Sequence, residues 1–202
     1  MRFVLPAALA LATIAAPAIA QTGTPGAPVA SRVVAGTYAV DPAHTQVTWS
    51  VNHMGFSVLE GQFGASEGSL TIDPAKPQNA KVDVTFKIDD LSVTAAPFAN
   101  HLKSKDFFDA ATYPTARFVS TSVKVMGTKA VVTGNLTIKD QTKPVTLNAT
   151  FFGAGTNPMS KKLNIGFRAT AKIKRSDFGV GAYVPVVGDD VDLTINAAFT
   201  AQ

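Results

Sequence analysis

Apolar and polar residues alternate with a period of two through most of this chain, and that pattern restricts it to antiparallel sheet. Val82, Val84, Phe86 and Ile88 interleave with Lys81, Asp83, Thr85, Lys87 and Asp89. Val47, Trp49, Val51 and His53 interleave with Gln46, Thr48, Ser50 and Asn52. Successive side chains of a strand point to opposite faces, so each run buries one face and wets the other. Runs of this kind are read at 36–40, 45–54, 57–63, 68–72, 81–89, 116–126, 129–139, 145–152, 163–174 and 191–200. Asp41-Pro42, Asp73-Pro74, Gly127-Thr128 and the Gly/Asn/Pro stretch 153–162 punctuate them. Strands at this spacing predict an all-β sandwich or barrel. Bulky apolar faces, and a last run with no proline or inward lysine to protect an edge, favour closure into a barrel of about eight strands. Such a barrel holds packed side chains or one small ligand.

One stretch breaks the alternation: 101–114, HLKSKDFFDAATYP. Phe98 and Leu102 lie four apart, as do His101 and Lys105, which predicts a short helical segment near residues 97–110. Phe107 and Phe108 sit between Asp106 and Asp109. Apolar bulk beside charge suits a plug, or the rim of an apolar cavity, better than an active site.

The chain opens with Arg2, an apolar run from Phe3 to Pro17, and Ala18-Ile19-Ala20. This is the pattern of a cleaved secretory signal peptide at 1–20, too short and wrongly flanked for a membrane span. Residues 21–36, rich in Gly, Pro, Ala and Thr, read as a flexible linker, and 37–202 as one domain. No later run is long enough to span a bilayer. The expectation is a soluble protein exported to the periplasm. Without cysteine there is neither disulfide nor an anchor on an N-terminal cysteine. Loss of Arg2 leaves 17 basic against 14 acidic residues. The basic residues form no run longer than a pair, so nucleic-acid binding has little support.

Four separated blocks resemble the YceI family. The first is Tyr38-x-Val40-Asp41-Pro42-x-His44-Thr45 with Trp49-Ser50-Val51-x-His53-x-Gly55-Phe56-Ser57 and Gly61-Gln62-Phe63. His101-Leu102-Lys103-Ser104-x-Asp106-Phe107-Phe108-Asp109 with Tyr113-Pro114 follows. Gly134-Asn135-Leu136-Thr137-Ile138 with Thr142-Lys143-Pro144-Val145, and Arg175-Ser176-Asp177-Phe178-Gly179-Val180, complete the set. The resemblance implies an extended, lipocalin-like antiparallel β-barrel, exported and often dimeric. It also implies a polyisoprenoid or other amphiphilic lipid, such as a quinone-like molecule, held in the lumen for sequestration or transport. Where the family often has a charged pair before the His-Leu, this chain has Phe98 and Ala99. That departure points to a less polar head group, or one held differently.

An apolar lumen needs inward side chains that leave a hydrocarbon chain nothing to hydrogen-bond. Val47, Trp49, Val51, Val82, Val84, Phe86 and Ile88 qualify, and they suit a solid core equally well. Phe107 and Phe108 fit one end of a tunnel or a helix packed over it. Of the three histidines, His44 reads as closing the Asp41-Pro42 turn. His53 and His101 read as buried, or as partners of a ligand's polar end. Nine residues separate His44 from His53, roughly 30 Å along a straight strand, which discourages a shared metal. There is no Gly-x-Ser-x-Gly and no His-Glu-x-x-His, so no catalytic site and no cofactor is expected. Lys174, Arg175 and Asp177 read as a salt-bridged corner, or as a cationic contact for a head group. Two alternatives stay open: a lipid-acting enzyme using His53, His101 and Asp106, and a non-catalytic accessory of a membrane respiratory or stress-response complex. A homodimer is possible through an exposed last strand.

Overall fold

A computed structural model describes residues 23–202. The expected signal peptide, residues 1–20, lies outside the described residues. Nine strands follow one another: β1 (Gly36–Val40), β2 (Gln46–His53), β3 (Ser57–Ile72), β4 (Lys81–Lys87), β5 (Thr115–Met126), β6 (Lys129–Ile138), β7 (Gln141–Thr156), β8 (Leu163–Lys174) and β9 (Val187–Ala201). Every pairing is antiparallel. The order β3-β2-β9-β8-β7-β6-β5-β4 closes on itself through β3–β4. β1 and β2 share one lane between β3 and β9, so nine strands make an eight-lane barrel.

The break in that lane spans Asp41 to Thr45. Asp41 accepts from His44 N and lies 2.7 Å from His44 Nδ1, as the turn chemistry predicts. Buried Thr45 bridges the gap. Its hydroxyl donates to Ala198 O and accepts from Ala198 N, each at 3.0 Å, which keeps the β9 ladder satisfied where β1 stops.

The longest strands, β3 and β7, have 16 residues each, roughly 50 Å of chain. The runs read separately at 57–63 and 68–72 are one strand, because the irregularity between Ala65 and Glu67 interrupts the alternation without breaking the ladder. The run read as 81–89 ends at Lys87, and Ile88–Asp90 is a 3-10 turn that still buries Ile88. β9 is paired on both edges, with β8 on one side and β1 and β2 on the other. The exposed last strand that would have paired two copies is therefore not there.

The barrel has two ends. The β3–β4, β5–β6 and β7–β8 hairpins project from one, called here the hairpin end. The β2–β3 and β6–β7 hairpins and the long β4–β5 and β8–β9 connections lie at the other, the cap end. The β4–β5 connection contains the only α-helix among the described residues, α1 (Ala96–Lys103). Pro97 in its first turn and His101 and Lys103 in its last suit the helix dipole. The helix is shorter than the segment expected near 97–110. Ser104 N bonds back to His101 O, and Asp109, at φ +48°, turns the chain so that Phe107 is buried.

The stretch read as a flexible linker is attached to the barrel. Ala27 and Ala154 exchange two backbone hydrogen bonds, Ala30–Arg32 forms a 3-10 turn, and Val33 is buried. Gly153 and Gly155 make room for it: a Cβ on Gly153 would lie 3.1 Å from Ala27 O, and one on Gly155 2.7 Å from the Pro25 carbonyl carbon. Among the described residues, no helix is long and apolar enough to cross a membrane.

Candidate functional site: the barrel lumen

Because most inward side chains of every lane are apolar, the closed sheet surrounds a largely apolar interior. That interior is not solid. It holds a cavity of about 750 Å³, lined from the cap end (His53, Phe98, His101) to the hairpin end (Pro77, Val125, Thr128). Two packed clusters flank it. Trp49, Val51, Leu102, Phe107 and Phe178 belong to the one beneath α1. Tyr38, Leu70, Val84, Ile165 and Phe199 belong to the one near β1.

All ten residues singled out as candidate lining stand on the cavity wall: Val47, Trp49, Val51, His53, Val84, Phe86, Ile88, His101, Phe107 and Phe108. Period-two alternation places the strand members. The cap places the rest: His101 packs edge-on to Phe107, with centroids 5.0 Å apart, and Phe108 packs edge-on to Phe63 at 5.4 Å. Trp49 lies across Gly61 of the paired strand. A Cβ there would be 2.6 Å from Trp49 Cε2 and 2.7 Å from Val93 Cγ1, so the indole needs glycine opposite it. The Trp49 Nε1–H is buried without a partner.

One contributor escapes the sequence reading, and a second is read there with a different set of partners. Tyr183, in the β8–β9 connection, lies against His101 and Phe107 at 6.3 and 6.1 Å and lines the cavity. It lies in a run with no alternation, so periodicity carries no signal for it. Arg175 also lines the cavity and is buried. It is not part of a salt-bridged corner. Its guanidinium donates to the carbonyls of Val180, Ala182, Val187 and Gly188 at 2.7–2.9 Å. Burial pulls its pKa down, partly offset by Asp189, but an arginine remains charged. The ion pairs at this corner belong to Lys174, with Asp190 at 3.1 Å and Asp189 at 3.9 Å. Asp189 also accepts from Ser176 N and Oγ. Burial works to raise the Asp189 pKa, and the Ser176 bonds and Lys174 outweigh it, so it ends below the usual value.

Of the residues of the enzyme alternative, His53 and His101 share the cavity wall and Asp106 is not among its lining residues. Among the described residues, no hydrogen bond or ion pair joins His53 or His101 to Asp106. His44 is held at the β1–β2 break by Asp41, with its side chain 73% exposed.

A closed antiparallel barrel around an apolar chamber defines a β-barrel of the lipocalin-like kind. The chain belongs to the YceI-like domain family, whose profile matches residues 38–199. It is 41% identical over 169 residues to a UPF0312 protein of Photorhabdus laumondii, covering 83% of this chain and 88% of that one. A UPF0312 protein of Pseudomonas syringae pv. tomato is 38% identical, with 82% and 88% covered. Among solved structures it is similar to BcnA of Burkholderia cenocepacia, with a TM-score of 0.68, 30% identity, and 79% and 98% of the chains covered. It is also similar to the Campylobacter jejuni YCEI protein, at 0.65, 32%, 75% and 90%. A polyisoprenoid binding domain from Saccharophagus degradans shares the fold at 13% identity and a TM-score of 0.59, covering 82% and 98%.

Proposed function

We propose that the protein is exported to the periplasm after cleavage of residues 1–20 and there sequesters or carries one apolar or amphiphilic lipid, polyisoprenoid or quinone-like, without transforming it. The cavity is the observation that carries this reading. An empty apolar void costs about 24 cal/mol per Å³. A chamber of some 750 Å³ left empty therefore weighs against the folded state. Water is a poor filler for a wall with so few polar groups. A lipid chain fills it and gains about 0.8 kcal/mol per buried methylene. The polyisoprenoid named for the Saccharophagus domain supports the ligand class through shared fold alone.

The head group is placed at the cap end, beside His53, His101 and Tyr183. Phe98 and Ala99 before the helix's His-Leu pair favour a neutral head, an alcohol, quinone or amide, over a phosphate.

The test is native mass spectrometry of the protein as recovered from cells, repeated after solvent extraction. A stoichiometric added mass that leaves on extraction and fragments as a lipid is expected. A protein that is empty, and that quenches none of its Trp49 fluorescence with isoprenoid alcohols or quinones, would overturn the reading.

A further inference from the structure

Charge is scattered along the sequence, but the fold sorts it by end. Arg32, Lys76, Lys124, Lys129, Lys161 and Lys162 all lie on the loops and strand ends of the hairpin end, and all are exposed. Exposed Lys81, at the start of β4, adds to them, and the acidic residues of the same segments are Asp73 and Asp83, the latter paired with Arg117. None of the six basic residues forms an ion pair among the described residues, whereas Lys103, Lys172 and Lys174 on the other half do. Between the basic residues stand apolar side chains with nothing packed over them: Val34 before β1, Met126 at the β5–β6 turn and Met159 at the β7–β8 turn, the last 91% exposed. The cavity reaches this end, since Val125, Thr128 and Lys129 belong to its wall.

We propose that the hairpin end docks on an anionic bilayer surface, with Met126 and Met159 entering the interface and the lysines set against lipid phosphates. A basic rim around protruding apolar tips matches both layers of such a surface: charge meets the head groups, and side chains of suitable size reach the acyl boundary. The cap end also exposes apolar residues, Phe56 and Val186 among them, but there basic and acidic residues nearly balance, and Lys103, Lys172, Lys174 and Arg117 are tied up in ion pairs. Taken with the proposed lipid-carrier function, on which this last step rests, docking sets the lumen against the bilayer so that a lipid moves between them without crossing water.

Flotation with phosphatidylethanolamine/phosphatidylglycerol vesicles (3:1) tests the docking directly, because it needs no cargo. The protein is expected to float with these vesicles, to be released as salt rises from 0.05 to about 0.5 M, and to ignore phosphatidylcholine vesicles. Each lysine near an anionic surface is worth about fivefold in partitioning, so Lys76→Glu/Lys161→Glu/Lys162→Glu is expected to lower it at least about 100-fold. Met126→Asp/Met159→Asp is expected to lower it as well, while Phe56→Asp leaves it unchanged. No flotation, flotation indifferent to the lysine reversal, or loss with Phe56→Asp in place of the lysine variant would overturn the proposal. Protein that floats yet is empty by mass spectrometry refutes the carrier reading alone. Lipid-loaded protein that does not float refutes docking alone.

Discussion

Arg175 is the one charged side chain buried among the described residues, and its four bonds run to carbonyls of the β8–β9 connection rather than to a carboxylate. Its work is to shape that connection, which in turn presents Tyr183 to the lumen. Arg175→Ala strands four inward carbonyls and is expected to cost at least about 3 kcal/mol in urea denaturation. Arg175→Lys, with three donors and no planar fork, falls between. On the outer surface, the Arg117 side chain hydrogen-bonds Asp83 and holds its carboxyl below the usual value, against some desolvation. A depressed carboxylate pKa adds stability that is present above the unfolded value and is lost as pH falls through the folded one. Asp83 and Asp189 should therefore make stability fall below about pH 4. Arg117→Met is expected to shift acid unfolding to slightly higher pH, because the pair is half-exposed and solvent-screened. Acid titrations of the two proteins followed by circular dichroism check this, and coincident curves would refute it. Arg175 also marks where sequence reading stops: RSDFG shows charges next to a turn, and only closure of the barrel decides that one of them points inward.

At the scale of elements, alternation was enough to place the inward faces of β2 and β4, and hence Val47, Trp49, Val51, Val84 and Phe86, because a period of two has one phase that buries the apolar set. It was not enough to define β1 and β2 as one lane. Local sequence shows Asp41-Pro42 as a stop, while the continuation depends on Thr45 meeting Ala198 some 150 residues away. Thr45→Val keeps the shape and removes the hydroxyl, leaving the Ala198 N–H and C=O without that partner. It is expected to cost about 1–3 kcal/mol, and Thr45→Ser less. Hydrogen exchange at Ala198 separates a local effect from a general one: protection lost there first supports the bridge, and uniform loss refutes it. The same long-range dependence hid the docking of residues 27–33, whose Gly/Pro/Ala composition reads as linker until Gly153 and Gly155 provide the groove.

At the scale of the whole molecule, stability and function concern the same space. A barrel of eight lanes with bulky inward residues has the surface for a solid core, yet clusters of buried side chains form near each end and leave apolar volume between them. A void of that size weighs against the folded state unless something occupies it, so occupancy should show in the melting temperature. Binding to the native state alone stabilises by about 2.7 kcal/mol at a hundredfold excess over Kd, roughly 5–11 °C for a domain of this length. Removing the lipid by extraction is therefore expected to lower Tm, and adding it back to restore Tm in proportion to the logarithm of its concentration. Filling the lumen by mutation should mimic half of this. Ala169→Leu/Ala197→Leu, on the cavity wall, is expected to raise the Tm of the lipid-free protein and to weaken lipid uptake at least tenfold. A variant whose Tm falls while uptake is unchanged would mean that the space is already filled by side-chain rearrangement and that the lumen is not where the lipid goes.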